Sequence, residues 1–153
     1  MTDEPKVADI MEKKVVTIDL DKNAQDAANE MTKKDVDSLV VMKEEAAVGI
    51  ITEKDLISKV IADGLDPKKV VVRDVMSTPL ITIRPQATVR QAAELMVEYE
   101  IRRVLVSDGT GGISGIVTAG DLAKTVAKQR SFSEETVSAV SQLEVSPSRG
   151  PYQ

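Results

Sequence analysis

VGIITEKDL at residues 48–56 returns as SGIVTAGDL at residues 114–122, and this recurrence decides the fold. Working outward, VADIMEKKVVTIDL at 7–20 returns as VRDVMSTPLITIRP at 72–85. The first pair stands 66 residues apart (48 to 114) and the second 65 (7 to 72), so one unit is written twice along the chain.

Each copy opens with an apolar turn, Val7 to Met11 or Val72 to Met76, followed by a β-branched run, VVTI from Val15 or LITI from Leu80. Ala24, Ala27, Ala28 and Met31 then fall at i, i+3, i+4, i+7, and Val89, Ala92, Ala93 and Met96 repeat the stripe. That spacing predicts a helix with one buried face in each copy. Asn23 and Thr88 are suitable N-caps, and Gln91 completes a capping box with Thr88. Two apolar runs follow, SLVVM and VGII in the first copy, RVLVS and GIVT in the second. They read as a strand pair, whose connection is clearest at the DGTGG turn from Asp108. That turn lacks the lysine and the spacing of a phosphate loop. A second helix closes each copy, from Glu53 toward Ile61 and from Ala119 toward Lys128, with Leu56, Ile57 and Val60, or Leu122, Ala123 and Val126, expected inward. The expected unit is β-α-β-β-α, made twice. Met11, Met31, Met76 and Met96 recur at equivalent positions and are read as packing.

The chain has 153 residues and 42% apolar content, enough for one respectable core, so two small units packed together are expected rather than independent domains. The expected organisation is 7–62, a linker at 63–71 carrying Gly64 and Pro67, 72–128, and a Ser-rich tail at 129–153. The tail is expected to be partly disordered, with a short helix around Glu134 to Leu143. A net charge of −5 without a basic tract gives no footprint for nucleic acid or an anionic membrane. The absence of cysteine and histidine removes thiol nucleophiles, disulfides, the usual zinc sites and imidazole bases. No apolar run approaches the roughly 20 residues that span a bilayer, and the first thirty residues lack a signal core, so a soluble cytoplasmic protein is expected.

The sharpest repeated detail is G-I-[IV]-T-x-x-D-L, with Gly49, Thr52 and Asp55 in one copy and Gly115, Thr118 and Asp121 in the other. At a strand-to-helix junction this motif sets a hydroxyl and a carboxylate beside exposed helix amides. The carboxylate can accept from vicinal ribose hydroxyls, while the amides and the helix dipole favour an anion. T-x-x-D is equally a capping box that satisfies the helix's own amides without any ligand.

From Val7 to Lys128 the sequence resembles a tandem pair of CBS domains, a Bateman module. The resemblance rests on Asp9-Ile10-Met11 and Asp74-Val75-Met76, the Thr-hydrophobic strand, the A-A-x-x-M helix, the apolar strand ending near Asp108, and the T-x-x-D motif, in the same order twice. It implies an α+β fold of two β-α-β-β-α repeats packed sheet to sheet with pseudo-twofold symmetry, often paired again as a homodimer. It also implies clefts between the repeats that take AMP, ADP, ATP or S-adenosylmethionine as a regulatory ligand, with no cofactor required. On that pattern Asp55 and Asp121 hold ribose hydroxyls, Thr52 and Thr118 sit near the ribose or α-phosphate, and Thr17–Ile18 and Thr82–Ile83 line the adenine pocket. Val36, Asp37 and Ser38, their counterparts Ile101, Arg102 and Arg103, and Thr78 and Pro79 complete the implied ligand-binding set.

The aligned positions Val36-Asp37-Ser38 and Ile101-Arg102-Arg103 differ in charge. An arginine there can hold phosphate through its forked donors, so Arg102, with Arg103, is expected to fit one site to a phosphorylated ligand while Asp37 disfavours phosphate at the other. The alternative is a solvated or interfacial arginine pair bridging to Glu98 or Glu100.

The first functional reading is therefore a non-enzymatic module that binds an adenosine-containing ligand and acts in trans on an unidentified effector protein. The second is a ligand-independent dimerisation or protein-interaction module. An enzyme such as a nucleotide hydrolase is disfavoured, because no clustered carboxylates accompany T-x-x-D.

Overall fold

The computed structural model describes residues 4–129 and 132–145, with side chains as far as residue 143. The chain opens with the single-turn helix α1 (Val7–Ile10), then β1 (Thr17–Asp19), α2 (Ala24–Lys34), β2 (Ser38–Lys43) and β3 (Ala46–Thr52). A short helix α3 (Glu53–Leu56) runs on into a π-helical turn, Ile57–Ile61. The second half follows the same order: α4 (Val72–Val75), β4 (Thr82–Ile83), α5 (Val89–Tyr99), β5 (Arg103–Ser107), β6 (Ile113–Thr118) and α6 (Ala119–Lys128). A further helix α7 (Glu134–Val145) comes from the Ser-rich segment, extending the helix expected near 134–143, while the rest of the expected tail lies outside the described residues. This is the mixed α+β, doubled β-α-β-β-α pattern read from the sequence.

These elements form two compact units, one of Val15–Leu80 and one that joins the described part of Met1–Lys14 to the chain from Ile81 onward. In the Val15–Leu80 unit the sheet order is β1-β2-β3. β1 runs parallel to β2, with Thr17 opposite Val40, because the helical crossover α2 separates them. β3 returns antiparallel, with Ser38 opposite Thr52. The sheet buries Ile18, Leu39, Val41 and Ile51 together with Ala27, Met31 and Val60 from the helices. The other unit repeats the order as β4-β5-β6, with Thr82 opposite Leu105 and Arg103 opposite Thr118.

Local chemistry starts the helices where the sequence indicates. Asn23 Oδ1 accepts the Asp26 amide at 2.8 Å, and Thr88 Oγ1 accepts the Gln91 amide at 3.1 Å. Ala24, Ala27 and Met31 are buried in α2, as are Val89, Ala92, Ala93 and Met96 in α5. One expectation fails: Ile57 is 59% exposed. The π winding after α3 changes the number of residues per turn, so Val60 stays inside while Ile57 leaves the core face. In the β5–β6 hairpin, Asp108 Oδ1 accepts from the Thr110 hydroxyl at 2.7 Å and from the Thr110 and Gly112 amides at 2.8 and 3.2 Å. The Thr110 hydroxyl above all, then these amides, hold the Asp108 carboxyl below its ordinary value. The turn is organised around its own aspartate.

Compact units and sequence repeats are offset, because each unit takes in the opening segment that precedes the other repeat's first strand. In Val15–Leu80, Ser77 donates its amide to Ile50 at 2.7 Å and accepts from Ile50 at 3.2 Å. In the other unit, Glu12 and Ile116 make the equivalent pair at 2.8 and 2.9 Å. Each opening segment thus adds a one-residue bridge to the edge of β3 or β6. The repeated glycines permit this approach. A Cβ at Gly49 would lie 2.8 Å from the Met76 sulfur and 3.1 Å from the Ser77 carbonyl oxygen, and one at Gly115 would meet the Met11 sulfur and, at 3.1 Å, the Glu12 carbonyl oxygen. The D-x-M and G-I-[IV]-T motifs are two halves of one contact.

α7 packs on α5 and α6, burying Thr136, Val140 and Leu143. The Leu143 carbonyl of this helix accepts from the Arg102 guanidinium at 2.7 Å.

Two outcomes follow for urea denaturation. Gly49→Ala should lower stability by about 1–3 kcal/mol through overpacking, and by less in a Met76→Ala background, because the two side chains compete for one space. Leu143→Ala should cost about 2–4 kcal/mol, because α7 belongs to the folded core, and an unchanged midpoint would contradict that.

Candidate functional site

The two T-x-x-D motifs sit where strand meets helix, β3 to α3 and β6 to α6. Both form reciprocal capping boxes. Thr52 Oγ1 accepts from the Asp55 amide at 3.2 Å while the Thr52 amide donates to Asp55 Oδ2 at 2.9 Å. Thr118 and Asp121 make the same pair of bonds at 3.1 and 3.0 Å. The capping reading of the motif is therefore correct at both junctions, and what each carboxylate does with its remaining capacity distinguishes them.

At the first junction that capacity is consumed. The Asp55 carboxylate also accepts from the Thr52 hydroxyl at 3.1 Å and from the Ser77 hydroxyl at 2.9 and 3.2 Å, and pairs with Lys59 Nζ at 3.0 Å. Asp55 is 4% exposed, Ser77 3% and Thr52 1%. Lys59 Nζ donates as well to the Val75 carbonyl at 3.0 Å. A buried carboxylate is costly unless paired and hydrogen-bonded, and here every partner lies within the same compact unit.

At the second junction the partners are gone. Glu12 stands where the first junction has Ser77, and its Oε1 accepts from the Lys14 amide at 2.8 Å. Thr125 stands where the first has Lys59, and its hydroxyl donates to the Asp121 main-chain carbonyl at 2.8 Å. Asp121 is only partly buried, and among the described residues its Oδ1 has no hydrogen-bond or ion-pair partner. The helix entry differs too. Ala119-Gly120 replaces Glu53-Lys54, and a Cβ at Gly120 would meet nothing nearer than the Thr118 hydroxyl at 3.7 Å. α6 runs ten residues, whereas α3 runs four.

The neighbouring segments are brought to these junctions by their backbones. The Asp37 carbonyl accepts from the Glu53 amide at 3.0 Å, and the Arg102 carbonyl from the Ala119 amide at 2.8 Å. Ser38 lies across the ladder from Thr52, and Arg103 from Thr118. Arg102 directs its side chain to Leu143, a partner that lies 41 positions along the chain and that no local pattern indicates. Val36 is half-buried and Ile101 buried.

The strand residues lie elsewhere in their sheets. Thr17 is exposed and Ile18 buried on β1. Thr82 and Ile83 line a groove of about 660 Å³ with Arg84, Gln86, Gln91 and Leu95, and its lining includes neither Thr118 nor Asp121. Thr78 and Pro79 are exposed and joined by a cis peptide. Sequence reading missed Ser77, Lys59, Glu12 and Thr125. Their alignment shows that they differ, but only the exchange of opening segments brings two of them to the motifs.

No group of three or more acidic, cysteine or histidine side chains among the described residues could hold a metal ion, and no described helix is long and apolar enough to cross a membrane.

Comparison with known proteins agrees with this architecture. The chain is 37% identical over 117 residues to an uncharacterized protein of Methanopyrus kandleri, spanning 76% of this chain and 60% of that one. A conserved CBS domain protein of unknown function from Thermoplasma acidophilum superposes with a TM-score of 0.73 at 25% identity, covering 93% of this chain and 77% of that one. CBSX2, crystallised in complex with AMP, superposes with a TM-score of 0.66 at 25% identity, covering 81% of this chain and 97% of that one. The CBS domain family matches at residues 7–62 and again at 72–128, and the chain belongs to that family as a tandem CBS regulatory module.

Proposed function

We propose that this tandem CBS module binds an adenosine-containing ligand (AMP, ADP, ATP or S-adenosylmethionine) at the second strand-to-helix junction and reports its occupancy to an effector protein. The observation that carries this reading is the open Asp121 carboxylate at the start of a ten-residue helix. Its Oδ1 suits a ribose hydroxyl donor, and the helix N-terminus, with no side chain at Gly120, suits a nearby phosphate. Arg103, across the ladder from Thr118, supplies a cation on the adjacent strand. The Thr82–Ile83 strand is the proposed neighbour of the adenine. The AMP complex of CBSX2 supports the ligand class.

The chain acts without chemistry of its own on this reading. Binding shifts the populations of its conformations, and a partner, in the cytoplasm and with the module as a homodimer, reads the shift. Arg102 donates to the Leu143 carbonyl, which draws its guanidinium toward α7. Because it holds α7 by the Leu143 carbonyl, the phosphate role passes to Arg103.

Isothermal titration of nucleotide-stripped protein with AMP, ADP, ATP and S-adenosylmethionine, with GTP as control, tests the proposal. Adenosyl ligands should bind in preference to GTP. Asp121→Asn, which preserves the cap, should weaken binding by about tenfold or more through loss of a charged acceptor. Arg103→Ala should weaken AMP binding while leaving adenosine binding largely intact. Absence of binding by every adenosyl ligand would refute the proposal and favour ligand-independent interaction with a protein partner.

A further inference from the structure

We infer that the first T-x-x-D junction is closed to ligand by the chain itself, so that the module takes one adenosyl ligand per chain, and that Ser77 and Lys59 are the residues that decide it. This inference rests on the ligand class proposed above and concerns which junction accepts it. A ribose hydroxyl approaching Asp55 finds both carboxylate oxygens engaged, Oδ1 by Ser77 and Lys59, Oδ2 by the Thr52 amide, the Thr52 hydroxyl and Ser77. These internal donors play the part that ribose hydroxyls would play. Displacing them would strand the Ser77 hydroxyl, which is 3% exposed, and leave Lys59 to the Val75 carbonyl alone. A buried donor left unmade costs about as much as a ribose hydrogen bond to a charged acceptor contributes, so a ligand gains little by the exchange.

The helix start reinforces the closure. Glu53 places a carboxylate at the first position of α3, where a ligand phosphate would approach, and α3 gives way after four residues to the π turn. At the second junction Glu12 cannot donate in place of Ser77 when ionised, Thr125 spends its hydroxyl on a main-chain carbonyl, and Ala119 carries no charge. The two junctions thus share a cap and differ in the groups that can occupy the carboxylate. The closed junction also has a structural effect, since Asp55 ties together the end of β3, the π turn and the segment after α4 within Val15–Leu80.

The test is a reciprocal transplant read by AMP titration and thermal melting. Native protein should bind one AMP per chain. Installing the closure at the second junction, with Glu12→Ser and Thr125→Lys together, should weaken AMP binding by about tenfold or more while the protein keeps a cooperative melt. Opening the first, with Ser77→Glu and Lys59→Thr together, should lower the melting temperature. Two equivalents of AMP in the native protein, or a folded transplant at the second junction that binds AMP as the native protein does, would overturn the inference. If neither AMP nor any other adenosyl ligand binds, the functional reading fails by itself, and melting then judges the closure. Asp55→Asn should melt well below Asp121→Asn, and equal melting temperatures would overturn it.

Discussion

The contact on which the rest of the structure depends is the close approach of a methionine-bearing opening segment to a glycine in an edge strand. Met76 lies over Gly49, and Met11 over Gly115, at separations that leave no room for a Cβ. The adjacent backbone pairs, Ser77 with Ile50 and Glu12 with Ile116, fix each segment in register against its sheet. Because side chains alternate along an extended backbone, that register decides which residue of the opening segment faces the T-x-x-D junction. Two motifs that look independent in sequence are thus coupled. The glycine and the methionine seat the segment, and the residue after the methionine reaches the site or fails to.

That coupling explains how two copies of one sequence arrive at different chemistry without different folds. The sheet order, the caps and the helix faces are shared. The difference is confined to positions that surround a carboxylate already committed to capping a helix. Where a hydroxyl and an ammonium group converge on it, the carboxylate is buried and becomes part of the core's polar framework. Where the same positions hold a glutamate and a threonine turned elsewhere, one carboxylate oxygen has no hydrogen-bond or ion-pair partner among the described residues. On the proposed function, duplication separates the structural and binding uses of one motif between two places in one chain.

Much of the fold was legible because it is written in local patterns. Asn23 and Thr88 cap the helices they precede, the Ala24–Ala27–Met31 and Val89–Ala92–Ala93–Met96 stripes are buried, and the helix of the Ser-rich segment begins at Glu134. What escaped the sequence is long-range or depends on winding. Ile57 fits a 3.6-residue stripe, but the chain there winds as a π turn and carries it outward. Arg102 reads as a phosphate ligand because of its place beside the motif, and nothing local announces that its guanidinium also donates to a helix carbonyl 41 residues away. The candidate site was half legible: T-x-x-D and its geometry follow from spacing, whereas the occupancy of Asp55 by Ser77 requires knowing that 22 residues of chain return the opening segment to the motif.

The central claim is that the same motif is open at one junction and filled at the other. The most direct measurement is a titration of ¹⁵N-labelled protein with AMP, following backbone amide resonances at both junctions. The account predicts that Ala119, Gly120 and Asp121 shift with AMP while Glu53, Lys54 and Asp55 hold their positions. Shifts of comparable size at both junctions, or at the first alone, would contradict it.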